Sequence, residues 1–285
     1  MRRSFYLKVH DHEIHITEWG DPNSKPLIMW HGLSRTGRDF DVIAQHLSRR
    51  FFVLCPDTIG RGLSTWSSDP YRDYMASTYV THAIHMLDAY DFDSCYWVGT
   101  SMGGIIGMTI ASGPEAFRIK KLVLNDIGAE IHAPALERIR TYVTQSPDFG
   151  TVSEFEAYVR KVHAPFGNHS KDQWRHMTET SFRRMDNGRI TNHFDPKVME
   201  VFSESFVSNN PMLWDLYDKI TCPTLLLRGE SSDLLPLQVA LDMTERGPRA
   251  KMSNIPNCGH APGLNTAEQI LIVEDFLLYD SPASS

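Results

Sequence analysis

Residues 95–111 read CYWVGTSMGGIIGMTIA. The apolar run Cys95-Tyr96-Trp97-Val98 leads straight into Gly99-Thr100-Ser101-Met102-Gly103-Gly104, and a second apolar stretch follows. A strand that turns abruptly into a helix needs neighbours without bulk, and Gly99 and Gly103 meet that need. The residue at the apex, Ser101, is then forced into a sparsely allowed backbone conformation with its hydroxyl raised above the sheet. The helix that starts beneath it presents free N–H groups, which favour negative charge nearby. The G-x-S-x-G pattern in this strand–turn–helix setting marks Ser101 as a nucleophile rather than as part of a tightly packed turn.

Outward from this stretch the same rhythm repeats. Upstream lie the apolar runs 27–30 and 52–55, with a candidate helix at about 40–47 between them and another from about 79 to 90 after them. Downstream of a helix over about 102–111 comes the run Leu122-Val123-Leu124, and after a gap Thr224-Leu225-Leu226-Leu227 and a strand over about 250–255. A helix over about 267–278 closes the pattern. The first twenty residues read as a hairpin, with Phe5, Leu7 and Val9 alternating before a turn at Asp11-His12, and Ile14 and Ile16 after it. Near-continuous apolar strands alternating with helices predict an α/β fold, a parallel sheet covered on both faces. Functional residues are then expected at the C-terminal ends of its strands.

The rhythm stops between about 129 and 211, where the sequence is helix-like, aromatic and rich in charge. Helices are expected over 133–145, 152–163 and 170–185, with breaks at Ser146-Pro147, Ala164-Pro165-Phe166-Gly167 and Asp186-Asn187-Gly188. The predicted organisation is therefore a core formed by residues 1–128 and 212–285, with 129–211 inserted as a helical cap. The only low-complexity tract is the short tail 281–285.

A serine needs a base, and the base needs a partner to hold it. Asn257-Cys258-Gly259-His260-Ala261-Pro262 follows the last predicted strand, which puts His260 in a loop at the sheet's C-terminal edge. Downstream of the strand 224–227, Arg228-Gly229-Glu230-Ser231-Ser232-Asp233 offers Asp233 as the third member, in the order serine, acid, histidine. Glu230 and Asp126 are alternatives, the latter because it directly follows the strand after the nucleophile helix. An oxyanion needs donors aimed at it. The backbone N–H groups of Leu33, in Trp30-His31-Gly32-Leu33-Ser34, and of Met102 are the expected pair, with His31 supporting the loop through hydrogen bonds.

Other features carry less chemistry. The glycine-rich run 56–64 lacks both G-x-G-x-x-G and a P-loop lysine, so it reads as a structural loop beside the oxyanion segment. His10, His12 and His15 around the hairpin turn, and His82 and His85 on a helix, have no matching acidic set. No metal or cofactor is therefore expected. The cap aromatics Phe149, Phe155, Tyr158, Phe166, Trp174 and Phe182 are packing residues, some of them candidates for lining a cleft.

The 285 residues are 41% hydrophobic and 22% charged, which suits a globular chain with a sizeable core. The formal charge of -7, with no basic run, argues against a nucleic-acid partner. Two arginines near the start are not followed by an apolar stretch, so no secretory leader is expected, and no run is long enough for a membrane span. Cys55, Cys95, Cys222 and Cys258 are scattered and read as free thiols in a reducing cytoplasm. The pattern fits either a monomer or a dimer.

Taken together, these segments make the chain resemble the α/β-hydrolase superfamily. The resemblance covers nearly all of it: His31-Gly32, the turn Gly99 to Gly104, Gly229 to Asp233, Gly259-His260, and the run Asp57 to Ser64, which is similar to the family's D-x-x-G-x-G-x-S pattern. It implies a mostly parallel eight-stranded sheet with a helical cap, a triad of Ser101, Asp233 and His260, an oxyanion hole at Leu33 and Met102, and no cofactor. Serine at 101 argues against dehalogenases and epoxide hydrolases of this fold, which use aspartate there. The expected activity is hydrolysis of short- to medium-chain acyl esters, small molecules, through an acyl-enzyme. The same motif also occurs in lactonases, cofactor-free haloperoxidases and carbon–carbon bond hydrolases. The last would need polar cap contacts to a second carboxylate, for which Arg138, Arg140, Arg160, Arg175, Arg183, Arg184 and Arg189 are candidates. Amidase chemistry and a noncatalytic ligand-binding module are further alternatives.

Overall fold

The computed structural model describes residues 1–143, 147–204 and 212–279. In chain order its elements begin with β1 (Arg2–Val9), β2 (His12–Trp19), β3 (Lys25–Trp30), α1 (Asp41–Leu47) and β4 (Phe51–Pro56). They continue with α2 (Pro70–Asp73), α3 (Ala76–Ala89), β5 (Cys95–Thr100), α4 (Met102–Ser112) and β6 (Ile119–Asn125). The inserted stretch holds α5 (Ala133–Val143), α6 (Val152–Val162), α7 (Lys171–Glu179), β7 (Phe182–Arg184), β8 (Ile190–Asn192) and α8 (Pro196–Phe202). The chain closes with α9 (Trp214–Tyr217), β9 (Thr224–Gly229), α10 (Leu237–Glu245), β10 (Lys251–Ile255) and α11 (Ala267–Leu278).

Eight strands form one sheet in the order β1-β2-β4-β3-β5-β6-β9-β10, as expected from the alternation of apolar runs and helices. The β1–β2 hairpin is antiparallel and joins the rest through the antiparallel β2–β4 pair; every pairing from β4 to β10 is parallel.

The apolar runs are continuous because both faces are buried. Ile28 and Trp30 of β3 pack on the face covered by α3, α4 and α10, while Leu27 and Met29 pack on the face covered by α1 and α11. Leu122 and Leu124 of β6 alternate with Val123 in the same way, and Leu226 of β9 with Leu225 and Leu227. Each such side chain, fully removed from water, contributes about 1.5–3 kcal/mol before entropy is set against it. Trp30 and Trp97 stack with centroids 5.5 Å apart, and the Trp97 indole donates to the Gly103 carbonyl at 3.0 Å. That contact pins the start of α4 to the sheet.

The inserted stretch differs from the expectation of helices alone. Helices form at α5, α6 and α7, but residues 182–184 and 190–192 make an antiparallel ribbon in place of the last part of the helix expected over 170–185. Turn chemistry explains the change. Asp186-Asn187-Gly188 reverses the chain, with Gly188 at φ 80°, a conformation costly for residues with a Cβ. Phe155, Val159, Trp174 and Ile190 then close a small core of their own, with Phe149, Tyr158 and Phe182 packed against it. Expected features at 144–146, the boundary residue 211 and the tail 281–285 lie outside the described residues.

Candidate active site

Ser101 stands between β5 and α4 with φ 51° and ψ -114°, the strained turn that its glycine neighbours permit. A Cβ on Gly103 would lie 2.0 Å from the Trp30 carbonyl oxygen, and one on Gly99 would lie 2.2 Å from the Gly103 carbonyl oxygen. The turn therefore closes only with glycine at these positions. The Ser101 N–H donates to the Asn125 carbonyl (3.0 Å), and the Ser101 carbonyl accepts from the Gly104 and Ile105 N–H groups.

His260 is buried in the loop after β10, and its Nδ1 lies 2.8 Å from Oδ2 of Asp126. Asp126 is fully buried and accepts two more hydrogen bonds, from the Gly229 N–H (2.8 Å) and the Ser232 hydroxyl (2.6 Å). A carboxylate so placed fixes Nδ1 as the protonated nitrogen and leaves Nε2 free to act as a base.

Asp233 is not the histidine's partner, which corrects the expectation from sequence. It lies exposed, with its carboxylate gripped by Arg138 at 2.5 and 2.9 Å. The reason lies in sheet order. Asp126 follows directly on β6, which sits between β5 and β9, and its φ of 56° marks a sharp turn there. The end of β9 supplies the Gly229 N–H and the loop after it the Ser232 hydroxyl, both onto Asp126, while Asp233 turns outward. Glu230 is engaged elsewhere. Its carboxylate accepts from the Asn257 N–H at 3.2 Å, tying down the start of the histidine loop.

The segment after β3 lies against the serine. A Cβ on Gly32 would be 3.6 Å from Ser101 Cβ, so the Leu33 backbone runs close to the nucleophile. His31 braces this segment from inside the fold. Its Nε2 accepts from the Thr58 N–H (2.9 Å), and its Nδ1 donates to the Gly32 carbonyl (2.7 Å). Burial pushes its pKa down from 6.5 to about 4, so the ring is neutral.

Two contributors escape a reading of the sequence. Asn125 donates through Nδ2 to the Thr100 hydroxyl and the Pro262 carbonyl, both at 2.9 Å, so one amide ties the nucleophile strand to the histidine loop. Arg61, in the loop expected to be structural, is fully buried. It donates to the Leu33 carbonyl (2.9 Å), the Ile59 carbonyl (2.8 Å) and the Tyr79 hydroxyl (2.7 Å), and its Nη2 is 3.6 Å from Met102 Sδ. One guanidinium thus touches both residues expected to bind an oxyanion. A buried arginine facing several carbonyls was the only available signal, and burial cannot be read from Gly60-Arg61-Gly62. The rest of the loop is structural as expected: Asp57 accepts from the Gly37 and Leu63 N–H groups and from His15, while Ser64 donates to the Asp57 carbonyl.

Ser101 and His260 both line a cavity of about 750 Å³, as do Gly32, Leu33 and Met102. That volume is within the usual range of small-molecule sites. Of the cap aromatics named above only Phe166 lines it, its ring 6.3 Å from that of His260; the others pack in the small core between α6, α7 and the ribbon. None of the seven cap arginines lines it. Among the described residues the guanidinium that lines it is Arg35, held by Asp39 in a bidentate pair at 2.6 and 2.9 Å. The hairpin histidines are occupied elsewhere, His12 by Asp73 at 3.1 Å and His15 by Asp57 at 2.9 Å. No group of metal-ligating side chains is assembled among the described residues. Nor, among them, is any helix long and apolar enough to cross a membrane.

Comparison with known proteins gives a consistent picture. The profile of the α/β-hydrolase fold family matches residues 25–265. The 3-hydroxybutyrate-oligomer hydrolase of Cupriavidus necator is 36% identical over 273 residues, which are 93% of this chain and 92% of that protein. The 2-hydroxymuconate semialdehyde hydrolase of a Pseudomonas species is 25% identical over 88% of this chain and 86% of its own length. Among solved structures, an α/β hydrolase from Novosphingobium aromaticivorans superposes with a TM-score of 0.88 at 32% identity, covering 97% of this chain and 98% of that one.

Proposed function

The chain belongs to the α/β-hydrolase fold family and is an ester hydrolase, and on that premise we propose that it cleaves small uncharged carboxylic esters through a Ser101–His260–Asp126 triad. The observation that carries this reading is the 2.8 Å contact between His260 Nδ1 and the buried carboxylate of Asp126, in a loop that shares the cavity of Ser101. His260 Nε2 takes the hydroxyl proton as Ser101 Oγ attacks the carbonyl carbon. The backbone N–H groups of Leu33 and Met102 receive the oxyanion, with Arg61 holding both residues in place. His260 then gives its proton to the departing alkoxide as the C–O bond breaks, leaving an acyl-enzyme. A water deprotonated by His260 attacks the acyl carbon, and the acid leaves as Ser101 recovers its proton.

The segment 129–211 acts as the cap over this site, setting which esters fit. Ester rather than carbon–carbon cleavage is supported by the charge lining: a substrate carboxylate would meet Arg35 only in competition with Asp39. The name of the Cupriavidus relative, a 3-hydroxybutyrate-oligomer hydrolase, likewise supports ester cleavage. Four free cysteines, three of them buried, fit a reducing compartment such as the cytoplasm. A p-nitrophenyl ester series from acetate to palmitate, run with wild type and Ser101→Ala, tests the reading. Release by wild type and none by the variant is expected; equal release by both would sink it.

A further inference from the structure

The cavity is not uniform, and its two ends belong to opposite faces of the sheet. On the α3/α4 face its wall is mostly aliphatic, and the hydroxyls of its two tyrosines, Tyr74 and Tyr79, are engaged by Asp195 and Arg61. Ile106, Ile127, Leu136, Val201, Leu213 and Leu234 are all members of the core cluster on that side, and none offers a side-chain hydrogen bond. Ile105 and Thr109 continue this wall along α4, one and two turns beyond Ser101 on the same face. Eight residues at the helical rise make that run about 12 Å long.

The other end is polar. Phe40 and Leu264, which line it, belong to the core on the α1/α11 face. Above them stand Arg35, Asp39, His169, Gln173, His176 and Asn265. α7 is anchored over this end by His176 Nε2, which donates to the Arg38 carbonyl at 3.0 Å. Among the described residues the polar end's guanidinium, Arg35, is neutralised by Asp39, and burial lowers the His169 pKa so that its ring is neutral. At the rim the exposed carboxylate of Asp172 lies 3.9 Å from the Arg175 guanidinium, so that pair brings no net charge to the opening. His169 Nε2 is buried with no hydrogen-bond partner, and Gln173 uses its oxygen on the Ser170 N–H while its NH₂ retains two donors. These are groups suited to hydroxyls or ester carbonyls.

Proton traffic decides which half of a substrate goes where. The leaving oxygen must be reached by His260, and the polar end adjoins His260: Phe166 packs against its ring and leads directly into His169 and α7. The acyl portion is left to the aliphatic wall that begins at Met102 and Ile105. We propose that the preferred substrates are esters of a medium-length aliphatic acid with a hydroxylated, uncharged alcohol, the chain lying along α4 and the alcohol against His169 and Gln173. This specificity rests on the ester-hydrolase reading above.

The test is a set of kcat/KM values by pH-stat titration for 1-octanoylglycerol, methyl octanoate, 1-acetylglycerol and the half-ester anion monomethyl suberate. Wild type is expected to favour octanoyl over acetyl glycerol, and glycerol over methyl octanoate, each by about tenfold, and to discriminate against the anion. Ile105→Phe should erase the octanoyl preference. Thr109→Phe, one turn deeper, should cut only chains longer than octanoyl, read on 1-lauroylglycerol. His169→Phe and Gln173→Leu should erase the glycerol preference while keeping the octanoyl one. Thermal melts identify any variant that fails to fold, and the second variant at each end then decides. Flat ratios in a Ser101-dependent wild-type enzyme would overturn the specificity and leave the ester-hydrolase reading standing. So would chain length responding to the α7 variants instead of the α4 variants. Absence of ester turnover in wild type would overturn both.

Discussion

Asp126→Asn distinguishes Asp126 from Asp233 as the carboxylate that holds His260. Asp126 Oδ2 accepts from both His260 Nδ1 and the Ser232 hydroxyl, while Oδ1 accepts from the Gly229 N–H. An amide supplies one oxygen and one NH₂. If its oxygen stays on Gly229, the NH₂ faces His260 and forces the proton onto Nε2, where the ring can no longer accept one from Ser101. If its oxygen turns to His260, the NH₂ meets the Gly229 N–H, and two buried donors face each other. The first arrangement costs about 10⁴-fold in kcat by analogy with other triads, or about 5 kcal/mol of transition-state stabilisation. The second costs about 1–3 kcal/mol of folding stability for an unsatisfied buried donor. Asp126 does not line the cavity, so KM should change little. Asp233→Asn removes only an exposed ion pair with Arg138, worth about 0–1 kcal/mol, and should leave kcat within about twofold. The assay is steady-state hydrolysis of a p-nitrophenyl ester by both variants, with thermal melts alongside. Near-normal turnover in Asp126→Asn together with collapse in Asp233→Asn would show that Asp126 is not the partner of His260.

Arg61→Met should lower kcat by about 10²-fold with a much smaller change in KM, because Leu33 and Met102 lose their common anchor; Arg61→Lys should restore part of it, and the kcat-against-KM split is the measurement. Gly103→Ala should destabilise the fold by more than about 3 kcal/mol or prevent soluble expression, since its Cβ would meet the Trp30 carbonyl; urea unfolding checks this. Acid should weaken the fold well before carboxylates titrate. Burial lowers the pKa of His31 and His82 to about 4, and of His163 and His193 to about 3, from an ordinary 6.5. The unfolded chain therefore binds protons that the folded chain refuses as pH falls below 6.5. Stability is complete above that pH and declines by about 1.4 kcal/mol per pH unit for each such ring on the way down to their folded values. A melting temperature unchanged between pH 7 and 5 would contradict that reading.

Most of the fold is legible in the sequence because both faces of the sheet are buried. Runs such as Leu225-Leu226-Leu227 stay apolar without interruption, and Gly99 and Gly103 have no alternative under the contacts they make. The candidate serine and histidine stand out in the sequence too, Ser101 directly behind β5 and His260 in the loop after β10. The acid is not, because two aspartates follow strands in the same chain order, and only the lateral order β5-β6-β9 decides which faces His260. Arg61 and Asn125 are hidden for a related reason. Their partners lie in other segments, at Leu33, Met102, Thr100 and Pro262, and one-dimensional spacing carries no record of such meetings. The ribbon between Phe182 and Asn192 is hard to see although Asp186-Asn187-Gly188 is hairpin chemistry, because the flanking strands are only three residues long.

Diethyl p-nitrophenyl phosphate reports on whether Ser101 is the nucleophile of an acyl-transfer site. Release of one equivalent of p-nitrophenol per chain is expected, with loss of esterase activity in step with that release, a diethylphosphoryl group on the peptide carrying Ser101, and no burst from Ser101→Ala. A label on another residue, or full ester turnover by the fully labelled enzyme, would contradict that role for Ser101.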